Sequence, residues 1–140
     1  MKNLKRIVSM MFVMLMLVCS NIPAFADTKP TATYDRCAST QTVKRGKTAK
    51  IAFILRNGSY GKKCGTLRSR FTMLIYKGSC YTGYGKDVAF SGNFRYILNW
   101  NVPKRMATGR YTVLYCTGYR ANACSNWRAT ATKSACLTVR

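Results

Sequence analysis

Apolar and polar residues alternate with a period of two along most of the chain after residue 40. This is the mark of strands with one buried face. Ile51, Phe53 and Leu55 share one face, and Phe71, Met73 and Ile75 share another. Phe94, Tyr96, Leu98 and Trp100 make a longer aromatic face, and Val113 and Tyr115 continue the pattern after Tyr111. Leu137 and Val139 close the chain. Turn signals separate these runs at Arg45-Gly46-Lys47, Asn57-Gly58, Lys77-Gly78, Pro103 and Thr108-Gly109. No segment carries a helical period. About seven short strands at this spacing predict an all-β chain, a single antiparallel β-sandwich. A small β-barrel of the OB kind is the alternative.

The first 26 residues follow a different pattern. Lys2, Lys5 and Arg6 precede an apolar run from Ile7 to Val18, and Ala24-Phe25-Ala26 is a small-x-small cleavage site. The run is about 12 residues, too short to cross ~30 Å of hydrocarbon as a helix. Residues 1–26 therefore read as a signal peptide cleaved after Ala26, and the mature protein as secreted. Residues 27–39, with Pro30 and several threonines, read as an N-terminal arm, and residues 40–140 as one sandwich domain.

The stretch Asn99-Trp100-Asn101-Val102-Pro103-Lys104-Arg105-Met106-Ala107-Thr108-Gly109-Arg110-Tyr111-Thr112-Val113 resembles the corner between the fifth and sixth strands of immunoglobulin-like domains. Gly109 and Tyr111 match the corner itself. Val113 stands where an antibody domain has its second core cysteine, so the resemblance is to the wider immunoglobulin-like class. It implies a tyrosine hydroxyl returned to the backbone of the connection. No functional residue comes with it, because this architecture hosts many activities.

Cys19 leaves with the leader. Cys37, Cys64, Cys80, Cys116, Cys124 and Cys136 remain, an even set that in a small secreted chain suggests three disulfides with 15 connectivities. With no His and no C-x-x-C pair, a metal site is not expected, and no cofactor is implied. In an immunoglobulin-like topology all but Cys80 would gather near one end.

Charge then dominates the functional reading. The chain has 24 Lys+Arg against three acids and no His, a formal charge of +21. Loss of Lys2, Lys5 and Arg6 leaves 21 cations faced only by Asp27, Asp35 and Asp87, a net +18. There is no Glu at all. General acid–base catalysis needs side chains this chain lacks, so no enzyme activity is expected. Solubility does not require such an excess, since most surfaces mix both signs. A binding role for anions does.

Three Tyr/Gly/Lys/Arg-rich segments are the candidate binding loops: Tyr60, Lys62 and Lys63; Tyr81, Tyr84 and Lys86; and Tyr119, Arg120, Trp127 and Arg128. Aromatic faces beside cations suit stacked bases, sugar rings next to phosphates, or a bilayer interface. Arg45, Lys47, Lys50, Arg68, Arg70, Arg95 and Arg110 form a second candidate, a basic face over one sheet. The expected function is a secreted, monomeric, cationic protein acting on anionic envelope polymers or lipids, of an antimicrobial or bacteriocin-like kind. The alternatives are a module for nucleic acid or acidic polysaccharide, and an immunoglobulin-like module for an acidic protein. Asn57-Gly58-Ser59 also fits the N-glycosylation pattern, which carries no weight in a chain that reads as bacterial.

Overall fold

Each apolar alternation falls in a strand. The computed structural model describes residues 28–59, 69–120 and 124–140; the segment read as a signal peptide lies outside them. The strands are β1 (Thr31–Tyr34), β2 (Thr42–Val43), β3 (Thr48–Arg56), β4 (Ser69–Lys77), β5 (Cys80–Phe90), β6 (Phe94–Asn101), β7 (Gly109–Tyr119), β8 (Arg128–Ala129) and β9 (Lys133–Val139). One sheet has the order β1-β3-β6 and the other β2-β9-β7-β4-β5, with β8 added to β7. Every pairing is antiparallel except β2 with β9.

The protein is an all-β sandwich of the immunoglobulin-like class. The barrel alternative fails because β5 and β6, consecutive in sequence, lie on different sheets that do not join. The inner faces meet over Phe53, whose ring lies 4.8 Å from Phe71, 4.9 Å from Tyr115 and 5.6 Å from Tyr34. Such offset and edge contacts suit aromatic quadrupoles. Tyr111 is buried against Trp100, and its hydroxyl donates to Ala107 O at 2.6 Å. The corner expected between β6 and β7 is therefore present.

The two ends of the sandwich differ. At the upper end β3 gives way to residues leading into β4, and β7 ends at Tyr119. Ser69 Oγ donates to Asn57 Oδ1 at 2.6 Å there, and Thr117 Oγ1 donates to Pro30 O at 2.8 Å. Asn57 is only 3 % exposed, so its amide serves the fold and is closed to glycosylation. At the lower end lie the turn between β2 and β3, the β4–β5 hairpin and the β6–β7 corner.

Residues 28–39 depart from the expected arm. Thr31–Tyr34 form β1, paired with β3 from Arg56 to Phe53. Pro30 is fully buried, and Asp35 and Ser39 are buried at the fold's edge. Asp35 Oδ1 accepts from the backbone of Cys37 and Ala38, and Oδ2 pairs with Arg95 Nε at 2.9 Å. The thin apolar pattern of this segment sufficed because β1 only edges a sheet.

Among the described residues, Cys37, Cys116 and Cys136 do not gather at one end as expected. Cys116 lies opposite Thr72 in the upper half, Cys136 opposite Thr112 lower down, and Cys80 at the lower hairpin. Cys37 follows β1 near the level of Ala52. Cys37, Cys80, Cys116 and Cys136 form no disulfide. Strand register explains part of this. Cys136 and Cys116 sit four residues out of register, about 13 Å along the strands, beyond the ~7 Å a bridge allows. Cys80 is about 17 Å along the strands from Cys116 by the same count. Cys64 lies outside the described residues.

Candidate functional site

The structure separates the three candidate loops. Tyr60, Lys62 and Lys63 lie outside the described residues. Tyr81, Tyr84 and Lys86 are not in a loop but within β5, and they do not converge. A register shift against Leu74 and Tyr76 places extra residues on β5 and changes which way its side chains face. Tyr81 stacks outward against Tyr76, with ring centroids 5.5 Å apart. Tyr84 instead turns towards the core beside Trp100, and its hydroxyl donates to Asn99 O at 3.1 Å. Burial pushes the Tyr84 phenol above its ordinary pKa, with the neighbouring Tyr96 adding to the effect. At Gly85, beside the bulge, a Cβ would stand 2.5 Å from Leu74 Cδ2, so a larger residue would make that side chain move. Lys86, opposite Met73, is exposed on this outer strand.

The third group does converge, at the upper end. Tyr119 pairs with Arg128 across β7 and β8. The Arg120 guanidinium lies 4.5 Å from the Trp127 ring centre, and that of Arg70 lies 5.5 Å from the same ring. Lys29 Nζ stands 5.5 Å over the Tyr119 ring. Arg70 is also held by Asp87, with Nε at 2.5 Å from Oδ1 and Nη2 at 2.6 Å from Oδ2. This two-point hydrogen bond raises the Arg70 pKa further above its ordinary value. Gly118 lies beneath the indole of Trp127, at ordinary packing distance.

An open cleft of about 230 Å³ follows from this arrangement, walled by Arg70, Asp87, Trp127 and Arg128 with Cys116 on its floor. A second, of about 240 Å³, opens between Pro30, Tyr115, Thr130 and Lys133, and Cys116 borders it too. Burial raises the Cys116 thiol above its ordinary pKa, and the negative charge of Asp87 raises it further. A raised thiol pKa disfavours the nucleophilic thiolate.

The basic face does not form a single stripe. Lys50 and Arg95 point outward from the β1-β3-β6 sheet, whereas Arg70 and Arg110 point outward from the other. Arg68 lies outside the described residues. The reason is topological: β3 and β6 belong to one sheet, β4 and β7 to the other.

A different cluster appears at the lower end. The β2–β3 turn carries Lys44, Arg45 and Lys47, the β6–β7 corner carries Lys104 and Arg105, and Arg110 follows on β7; all six are exposed. Backbone bonds latch these segments together. Arg45 N donates to Arg140 O at 2.8 Å, Gly46 N to Val102 O at 2.8 Å, and Val102 N to Lys47 O at 3.0 Å. Gly46 has φ +75°, and the Lys104 stem lies over it, 3.0 Å from where a Cβ would stand. The sequence signal was present in Lys44-Arg45-Gly46-Lys47 and Lys104-Arg105 at two turn positions. Only the fold joins them.

Among the described residues, no three of His, Cys, Asp and Glu come together as a metal-binding group. No described helix is long and apolar enough to cross a membrane.

No family model matches the chain. No curated protein matches it. Among solved structures, it is similar to the CARDB domain of a Pyrococcus furiosus protein, determined in complex with di-metal ions. The two share 15 % identity over 83 % of this chain and 91 % of that one, with a TM-score of 0.48. No residue role is carried across from it.

Proposed function

We propose that this is a secreted, non-enzymatic protein that binds anionic cell-envelope surfaces, in an antimicrobial or bacteriocin-like role. One observation carries the reading. Asp35 and Asp87 supply the only acidic side chains among the described residues, and each is already paired with an arginine, Arg95 and Arg70. The six exposed cations of the β2–β3 turn, the β6–β7 corner and Arg110 therefore have no acidic side chain to neutralise them. Lys or Arg near an anionic surface contributes about 1 kcal/mol each, so a group of this size binds without a deep pocket.

The test is co-sedimentation of the purified protein with phosphatidylglycerol–phosphatidylcholine vesicles and with phosphatidylcholine vesicles alone, at ~50 and ~300 mM salt. The proposal expects binding to the anionic vesicles only, weakened at least about tenfold by the higher salt. Equal affinity for both vesicle types, or none for either, contradicts it.

A further inference from the structure

We infer that the sandwich docks end-on, setting the Lys44–Lys47 turn and the Lys104–Arg105 corner on the phosphate groups of an anionic lipid surface. This rests on the anionic-surface reading above and adds which part of the molecule makes the contact.

Three observations support it. The first is distance from acidic side chains. Asp87 lies opposite Thr72, five residues up β4 from Lys77, or about 17 Å by strand rise. Asp35 N bonds Ala52 O, four residues up β3 from Thr48, or about 13 Å. Both spans exceed the Debye length of ~8–10 Å at ordinary salt, so neither carboxylate screens the lower end.

The second is preorganisation. The bonds joining Arg45, Gly46 and Lys47 to Arg140 and Val102 hold two loops from distant parts of the chain as one platform. The corner is fixed from inside as well. Tyr111 donates to Ala107 O, and Lys77 Nζ donates to Thr108 O at 2.5 Å while lying 5.3 Å from the Tyr111 ring centre. Cations on a fixed platform lose little freedom when they meet a charged plane.

The third is composition. Pro103 and Ala107 are exposed between the cations, and Met106 is half-buried beneath them. Small apolar groups among Lys and Arg suit the headgroup level of a bilayer, where long basic side chains reach phosphate and short apolar ones rest below it. The aromatic corner with Trp127 is at the other end and faces away.

The test compares sets of four substitutions, each in the full protein, for binding to phosphatidylglycerol–phosphatidylcholine vesicles. The lower-end set is Lys44→Gln, Arg45→Gln, Lys104→Gln and Arg105→Gln. The control set is Lys29→Gln, Arg56→Gln, Arg128→Gln and Lys133→Gln, which removes equal charge from the upper half. The inference expects a loss of at least ~100-fold for the first and less than ~10-fold for the second. A charge-retaining set, Lys44→Arg, Arg45→Lys, Lys104→Arg and Arg105→Lys, is expected to bind like the unaltered protein. Equal losses in the first two sets overturn end-on docking and leave the anionic-surface reading standing. Loss in the charge-retaining set also overturns the inference. Binding to soluble polyphosphate without binding to vesicles overturns the lipid assignment. Failure of the unaltered protein to bind anionic vesicles removes the underlying reading itself.

Discussion

At the upper end, Arg70 is held between Asp87 and Trp127, Lys29 lies over Tyr119, and Lys133 Nζ reaches Ala32 O at 3.4 Å. At the lower end, Lys44, Arg45, Lys47, Lys104, Arg105 and Arg110 are exposed with no acidic side chain near. The two ends draw on the same residue types. At the upper end basic groups serve the fold, stapling β8 and the N-terminal segment onto β7. At the lower end backbone bonds, with Lys77 and Tyr111 bracing the corner from inside, hold the loops, so the six exposed side chains are left for solvent or for a ligand. A count of cations per loop cannot tell these cases apart; the partners of each cation can.

Substitutions that strain each end should show this difference. The largest effect is expected from Gly58→Ala at the upper end. Gly58 has φ +65°, and a Cβ there would stand 2.4 Å from Thr28 O and 2.8 Å from Lys29 O, both backbone atoms. A loss of about 3 kcal/mol in chemical unfolding is expected. Gly46→Ala at the lower end meets only the flexible Lys104 stem, so its cost is about 1 kcal/mol, mainly from its positive φ. Equal costs would show that both ends are built alike.

The hydroxyls at the two ends give a smaller contrast. Thr117→Val removes the donor to Pro30 O and the contact with Thr130 Oγ1 at 2.8 Å, in a buried setting. About 2 kcal/mol is expected, because Pro30 O is left unpaired inside the fold. Tyr111→Phe removes one bond to Ala107 O at an exposed corner, and about 1 kcal/mol is expected. A reversed order, measured by urea unfolding, would show that the lower corner depends on its side chains after all.

What the sequence disclosed follows the range over which its signals act. The alternation at Ile51–Leu55 or Phe71–Ile75 is local, and both runs became core strands. The Gly109–Tyr111 corner was legible for the same reason: donor and acceptor are four residues apart. β1 was not, because Ala32 and Tyr34 are its only inward apolar residues and the strand is held by β3. The β5 bulge was not either. Gly83 and Gly85 look like loop chemistry, and only register with Leu74 and Tyr76 shows that they bend a strand. Of the candidate site, the cluster of Tyr119, Arg120, Trp127 and Arg128 was visible because it occupies one short stretch. The lower platform was hidden because Arg45, Val102 and Arg140 meet only through the fold.

The most direct test of the contrast between the ends is the amide spectrum of isotopically labelled protein titrated with phosphatidylglycerol-containing bicelles. The account predicts that signals from Arg45, Gly46 and Arg105 broaden or shift first, while the Trp127 indole and the Tyr119 amide stay in place. Early changes at Trp127 and Tyr119, with the lower end unmoved, would contradict it.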